Sequence, residues 1–372
     1  MILTIINLAS AVLGAITLAK LMQVAKKHRF VAARARTIAP DKMPSVSVCI
    51  PARNEEHAMA RCLDAVIASD YPKLEMVVLD DHSVDDTSAL VKSYANEGVR
   101  FVKGADLPEG WIGRNFAYES LSKQASGKYI FFMSVDTHIG PETISQLVAY
   151  MMHKRVEMIS VLPSRLDNYR PSVLVAPLRH LHELIFSSRK SPATISSGWL
   201  VNRELLGEYC GDLSELKGDI MIERRIAEKF VANENGGYDF IINAHECDVS
   251  FEKKWSSQIE ASMRAYALST DKNLFKFAGM LLALLLASCL PLSIALSAIF
   301  GWSLAAWLAV VAELIYMATY TYYASLTWSR GAWLAPLFWP FVAVQELVVL
   351  VASAIKRKRG TITWKGRPVF SR

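Results

Sequence analysis

The sequence predicts an α/β domain built on a mostly parallel, Rossmann-like sheet, preceded by one membrane helix and followed by about three more. Three observations lead to this. Between residues 44 and 272, apolar runs of strand length alternate with stretches of helical spacing. Apolar stretches of membrane-spanning length flank that region on both sides. Carboxylates stand at the ends of the strand-like runs, where open parallel sheets carry their ligands.

Taken in order, residues 1–24 form the first apolar segment, MILTIINLASAVLGAITLAKLMQV. It turns abruptly basic in KKHRFVAARAR, with no small-residue cleavage site between, so it reads as an uncleaved signal anchor. Residues 25–43 are a basic juxtamembrane linker. Basic residues after a first span hold that side in the cytoplasm, so the chain beyond it is expected to face the cytosol. In residues 44–272, SVSVCIPARN is a short β-rich run ended by Pro51, and EEHAMARCLDAVIAS shows helical spacing after an Asn54 cap. LEMVVLDDHSVDDT is an apolar run ending in carboxylates, followed by a helix through SALVKSYANEG and a strand in VRFVKG. This βαβαβ order implies parallel strands with Asp80, Asp81 and Asp136 at their carboxyl ends.

Residues 273–355 are again almost entirely apolar and divide into segments near 275–299, 303–326 and 333–355, each lined or flanked by Trp and Tyr. Three crossings would carry the basic tail, residues 356–372, outside. Pro336, Pro340, Gln345 and Glu346 in the last segment therefore point to a re-entrant or interfacial stretch that returns KRKR to the cytosol. A multi-pass protein of the cell membrane follows.

The composition agrees, since 52% of the 372 residues are hydrophobic, high for a water-soluble enzyme. A net charge of +6, clustered beside the membrane segments, suits anionic lipid headgroups rather than nucleic acid, which is not an expected partner. The five cysteines, Cys49, Cys62, Cys210, Cys247 and Cys289, are widely spaced without a CxxC pair, so they indicate neither a disulfide framework nor a zinc site.

Five features in fixed order carry a family resemblance: PARNEE, VVLDDHSVDDT, GWIGRNFA, a strand ending in Asp136, and a later Gly218–Asp219 pair. Together they resemble the family 2 glycosyltransferases with a GT-A fold. The anchor, the apolar C-terminal block and the terminal TWKGRPVF resemble most the membrane-anchored branch of ceramide glucosyltransferase and the hopanoid- and carotenoid-associated glycosyltransferases.

The resemblance implies a nucleotide-sugar pocket lined by Pro51, Asn54, Glu55 and Asp81. Loops at two adjacent strand ends can indeed offer a carboxylate and backbone amides to a nucleoside. An isolated DD pair serves equally as a solvated strand-to-helix cap. Trp111, Gly113 and Arg114 lie in a glycine-bearing turn that opens a helix, a geometry suited to a diphosphate, or else to a basic surface cap. The family usually places two carboxylates where this chain reads Ser134, Val135, Asp136. Asp136 is then the implied ligand of a divalent cofactor, Mg²⁺ or Mn²⁺, bridging the donor phosphates, and a degenerate site is the alternative. His138 reads as structural. Relatives carry ED or DD where Gly218 and Asp219 stand, which makes Asp219 the implied catalytic base; alone, it is also an ordinary acid at a helix start. Losing a carboxylate at both positions predicts weaker metal affinity than in relatives.

Residues 171–190 mix apolar and basic side chains, as in a helix at the membrane surface or one packed on the sheet. No QxxRW motif of processive polymer synthases is found. The expected function is an inverting glycosyltransferase that moves one sugar from a nucleotide-sugar, by family default a UDP-sugar, to a membrane lipid acceptor at the cytosolic face. The alternatives are a polysaccharide or polyprenyl-phosphate-directed synthase and a catalytically inactive membrane scaffold.

Overall fold

The computed structural model describes residues 1–30, 39–166, 170–233, 235–242, 246–269, 274–328, 330–364 and 367–368. The expected basic segment at 31–38, the domain boundary at Lys272, and Lys365, Gly366 and residues 369–372 of the tail lie outside these. The chain divides into two units, one of residues 1–27, 165–186 and 253–362, the other of 28–164, 187–252 and 363–372.

The first unit is helical. Helices α1 (Ile2–Lys27), α11 (Leu274–Phe300), α12 (Leu304–Thr327) and α13 (Ala335–Lys358) are each long and apolar enough to cross a membrane. Their outward faces carry bare apolar side chains such as Phe275, Ile299 and Val348, a surface that water does not favour. Inward, small residues let helices approach: a Cβ on Gly14 of α1 would sit 3.1 Å from Ile315 of α12. Asn7 Nδ2 donates to the Ala305 carbonyl at 2.8 Å.

The last segment is one continuous helix, and Pro340 does not interrupt it. Its polar pair has a defined task. Gln345 Nε2 donates to Val175 O at 2.9 Å, and Glu346 accepts from the Leu178 amide at 2.9 Å and from the Tyr266 hydroxyl of α10 (Trp255–Ser269). These bonds satisfy backbone between the short helices α6 (Pro171–Leu174) and α7 (Arg179–Ile185) that would otherwise be buried without partners. In α7, His180, Leu181 and Leu184 are buried within this helical unit rather than spread on a surface.

The second unit is the expected α/β domain. Its seven-stranded sheet runs in the order β3-β2-β1-β4-β8-β6-β9, comprising β1 (Val46–Ala52), β2 (Leu74–Asp80), β3 (Val99–Lys103), β4 (Tyr129–Met133), β6 (Met158–Val161), β8 (Gly198–Asn202) and β9 (Tyr238–Ile241). Every neighbouring pair is parallel except those that β8 makes with β4 and β6. The central strands read as unbroken apolar runs because both faces are covered. Val46, Val48, Ile50, Phe131 and Met133 enter one core, and Cys49, Val77, Ile130 and Phe132 enter the other. Helices α2 (Glu56–Ile67), α3 (Thr87–Ser93), α4 (Gly113–Gln124), α5 (Thr143–Lys154), α8 (Arg203–Cys210) and α9 (Ile222–Ala232) complete the layers. A small second sheet runs β5-β10-β7, with β5 (Thr137–Ile139) antiparallel to β10 (Val249–Phe251) and β7 at Ser164–Arg165.

Candidate active site

The carboxyl ends of β1, β2 and β4 bring most of the expected residues to one edge. β1 ends in Ala52, and the loop beyond it interlocks with the loop after β2. Asn54 adopts a left-handed conformation (φ 52°), one that Asn tolerates better than most residues. Its amide donates to Ser83 Oγ at 2.9 Å and its Oδ1 accepts from the Val84 amide at 2.9 Å. The Glu55 amide donates to Thr87 Oγ1 at 2.8 Å, and the Asp81 amide donates to Ala52 O at 2.8 Å. These bonds fix the two loops against each other, so Pro51, Asn54, Glu55 and Asp81 lie together. Asp80 points inward and accepts from Ser88 Oγ at 2.6 Å. Asp81 is mostly buried, with Arg53 Nη1 at 3.9 Å and His82 Nδ1 at 3.4 Å from its Oδ1. The end of β3 passes so close that a Cβ on Gly104 would lie 2.9 Å from Asp80 O, so the glycine there is a packing requirement.

The segment at the start of α4 is tied to the loop holding Asp219. Ile112 N donates to Lys217 O at 2.9 Å, and Arg114 Nη2 donates to Ile220 O at 2.6 Å while lying 3.6 Å from Glu223 Oε2. Asn115, fully buried, directs its amide group to three carbonyls at once: Leu216 at 3.2 Å, Lys217 at 3.1 Å and Asp219 at 2.7 Å. Asn115 is a positioning residue that the sequence reading did not single out; its signal was an Asn in the first turn of a motif-bearing helix. Gly113 is buried at the opening of α4, and the half-buried Trp111 packs edge-on to Phe116 at 5.4 Å. Asp219 itself is 36% exposed, with Arg225 Nε 3.7 Å away, so its carboxylate is open to solvent. At Gly218 the nearest atom to an added Cβ is Gly110 O at 3.8 Å, so the absent first acid is not forced by crowding.

Asp136 follows β4 and is half-buried; its carbonyl accepts from Glu252 N at 3.1 Å. Ser134 Oγ and Thr137 Oγ1 lie 2.9 Å apart, and Thr137 Oγ1 also donates to Ser197 O at 2.8 Å, so Ser134 belongs to the local hydrogen bonding of this turn. Ligand atoms of Asp136, Glu55 and His57 all lie within 4.8 Å of one another, the one such group among the described residues. His57 was not singled out in the sequence, where nothing in its spacing marks it. His138 is absent from the group. Burial, reinforced by the Arg61 guanidinium, holds its imidazole below the usual range. The structure thus brings together the loops after β1 and β2 and Asp136, and separately joins the 111–114 segment to the Asp219 loop.

Residues 47–210 match the family described as Glycosyl transferase family 2. The chain is 33% identical over 113 residues to a poly(ribitol-phosphate) beta-N-acetylglucosaminyltransferase, TarS, of Staphylococcus aureus, a match covering 29% of this chain and 19% of the relative. It is 27% identical over 121 residues to a 4,4'-diaponeurosporenoate glycosyltransferase of the same organism, covering 32% of each. These matches span a third or less of either relative's length. Among solved structures, the mannosyltransferase PcManGT of Pyrobaculum calidifontis, determined with GDP-Man and Mn²⁺, superposes with a TM-score of 0.55 at 19% identity, covering 96% of this chain and 99% of that one. The two share a fold, and the GT-A architecture expected from the sequence is the one found.

Proposed function

We propose that the protein is an inverting glycosyltransferase that moves one sugar from a nucleotide-sugar, a UDP-sugar in the first instance, to a membrane lipid at the cytosolic face. The observation that carries this is the meeting of Asp136 with the interlocked loops after β1 and β2 at one sheet edge, inside the segment that matches the family. Pro51, Asn54, Glu55 and Asp81 line the nucleoside side. Trp111, Gly113 and Arg114 face the diphosphate through the opening of α4 and the N–H groups that Arg114 does not spend on Ile220 O. The carboxylate of Asp136, with a neighbouring acid and imidazole, suits a divalent cation, which fits the metal named with the mannosyltransferase. When bound, that ion would offset charge developing on the departing diphosphate. Asp219 is the base, taking the acceptor's hydroxyl proton as its oxygen attacks the anomeric carbon; a single displacement inverts that centre. Asn115 holds the Asp219 backbone in register for the transfer.

The lipid acceptor is supported by the four apolar helices and by the name of the diaponeurosporenoate relative. The paired strands Thr363–Trp364 and Arg367–Pro368 group with the α/β unit, which supports a tail on the same membrane side as that domain. An even number of crossings by α11 to α13 meets this condition, and α13, whose last turn carries Lys356, Arg357 and Lys358, is the proposed non-crossing helix. The test is transfer of labelled sugar from a panel of UDP- and GDP-sugars by protein in lipid nanodiscs. Label in the lipid phase supports the reading, whereas absence of nucleotide-sugar binding with any divalent metal overturns it.

A further inference from the structure

From the convergence of Glu55, His57 and Asp136 we infer that the metal centre is a mixed oxygen–nitrogen site, with the His57 imidazole as a direct ligand that selects Mn²⁺ over Mg²⁺. The assignment rests on the reading that Asp136 carries the donor's metal, and it names that metal's class.

Two elements, adjacent in the sheet order, deliver these three donors. Asp136 comes from the turn after β4, where its backbone carbonyl is held by Glu252 N. Glu55 and His57 come from the start of α2, which follows β1, and β1 is the parallel neighbour of β4. Residues two apart on a regular helix do not face one another. Here Glu55 is the cap residue, with φ −125° and ψ 21°, and its side chain does not cap the helix. Its departure from helical geometry lets its carboxylate and the first-turn His57 imidazole reach the same point. His57 is exposed, so its nitrogens are accessible to an ion.

Chemistry decides the metal class. Mg²⁺ prefers oxygen donors and retained waters; Mn²⁺ shares the preference for carboxylates but, as a first-row transition ion, accepts an imidazole nitrogen more readily than Mg²⁺ does. Two carboxylates and an imidazole within 4.8 Å form a site that a cation relieves of like-charge repulsion, although the amide end of α2 offsets part of that charge. The arrangement also accounts for Ser134. That hydroxyl is engaged with Thr137, and the additional donors come from the neighbouring strand's loop instead of from the position two before Asp136.

The test is pulsed electron paramagnetic resonance on the full chain in nanodiscs loaded with Mn²⁺, alone and with UDP, together with Mn²⁺ and Mg²⁺ titrations. The expected result is ligand-nitrogen modulation on the bound Mn²⁺ that disappears in His57→Ala. The same variant is expected to weaken Mn²⁺ about tenfold or more and to leave Mg²⁺ affinity within about twofold. His57→Gln, which keeps size and polarity, is expected to behave like His57→Ala, and thermal unfolding of both checks that the fold persists. Mn²⁺ bound without nitrogen modulation, or with modulation that survives His57→Ala, overturns the assignment while leaving the transferase reading standing. No Mn²⁺ or Mg²⁺ binding with or without UDP overturns both the assignment and the metal-dependent part of that reading.

Discussion

Asn115 is the residue on which the geometry around Asp219 depends most directly. One side-chain amide serves the carbonyls of Leu216, Lys217 and Asp219, and removing it leaves all three without that donor in a part-buried turn. Asn115→Ala is expected to cost about 1–3 kcal/mol of stability and to lower kcat more than it raises the donor KM, checked by thermal unfolding and steady-state kinetics. Gly218 makes the opposite case. With only Gly110 O near a built Cβ, Gly218→Glu is expected to change Tm by no more than about 2 °C while supplying the acid that the family resemblance implies there. Asp136→Asn is expected to remove metal-dependent transfer by at least about 100-fold with the fold intact, read by activity and circular dichroism together. Such single positions differ in how well the sequence announces them. Asp136 and Asp219 are legible because carboxylates at strand and helix ends within an ordered motif set are rare. Asn115 and His57 are not, because their roles come from loops distant in sequence folding onto them.

At the scale of elements, the sheet shows where sequence pattern is sufficient. The β1, β2 and β4 runs are apolar on both faces, and that is visible in VSVCIPA and LEMVVLD. The antiparallel insertion of β8 between β4 and β6 is not visible, since pairing direction depends on how the intervening chain returns rather than on local composition. The β5–β10 pair is hidden for the same reason, as its strands are three residues each and more than a hundred residues apart. The edge strand β9 carries a test of its own. Asp239 on β9 lies 2.9 Å from His28 Nδ1 and accepts from the Tyr150 hydroxyl of α5 at 2.7 Å. Burial alone would raise its carboxyl, but hydrogen bonds from His28 and Tyr150 outweigh burial and hold it below the ordinary 3.8. A depressed carboxyl contributes stability that is present above its unfolded value and lost as pH falls through the lower folded value. Stability of the native protein is thus expected to fall on acidification below about pH 3.8 more steeply than that of Asp239→Asn. At neutral pH the variant is expected to be less stable by about 2 kcal/mol, measured by denaturant unfolding across pH.

For the whole molecule, the apolar helices were legible from length and hydropathy alone, and their number from the breaks at FGWS and WSRG. The use of Gln345 and Glu346 was not. Read along one helix they suggest a disturbed membrane segment, whereas the fold turns them toward the 174–178 backbone, a partner far away in sequence. Glu346→Leu is therefore expected to lower stability because the buried Leu178 amide and Tyr266 hydroxyl lose this acceptor, without displacing the loops after β1 and β2; thermal unfolding in nanodiscs and UDP binding check the two halves. Labelling a cysteine introduced near the C-terminus from either side of a sealed vesicle is expected to place the tail with the α/β domain if the proposed even number of crossings after residue 274 holds. The central claim is met most directly by following labelled sugar from UDP- and GDP-sugars into lipid, with the purified chain in nanodiscs supplied with Mn²⁺, Mg²⁺ or chelator. The account predicts metal-dependent label in the lipid phase that is lost in both Asp136→Asn and Asp219→Asn. Undiminished transfer by both variants, or no nucleotide-sugar binding under any metal condition, would contradict it.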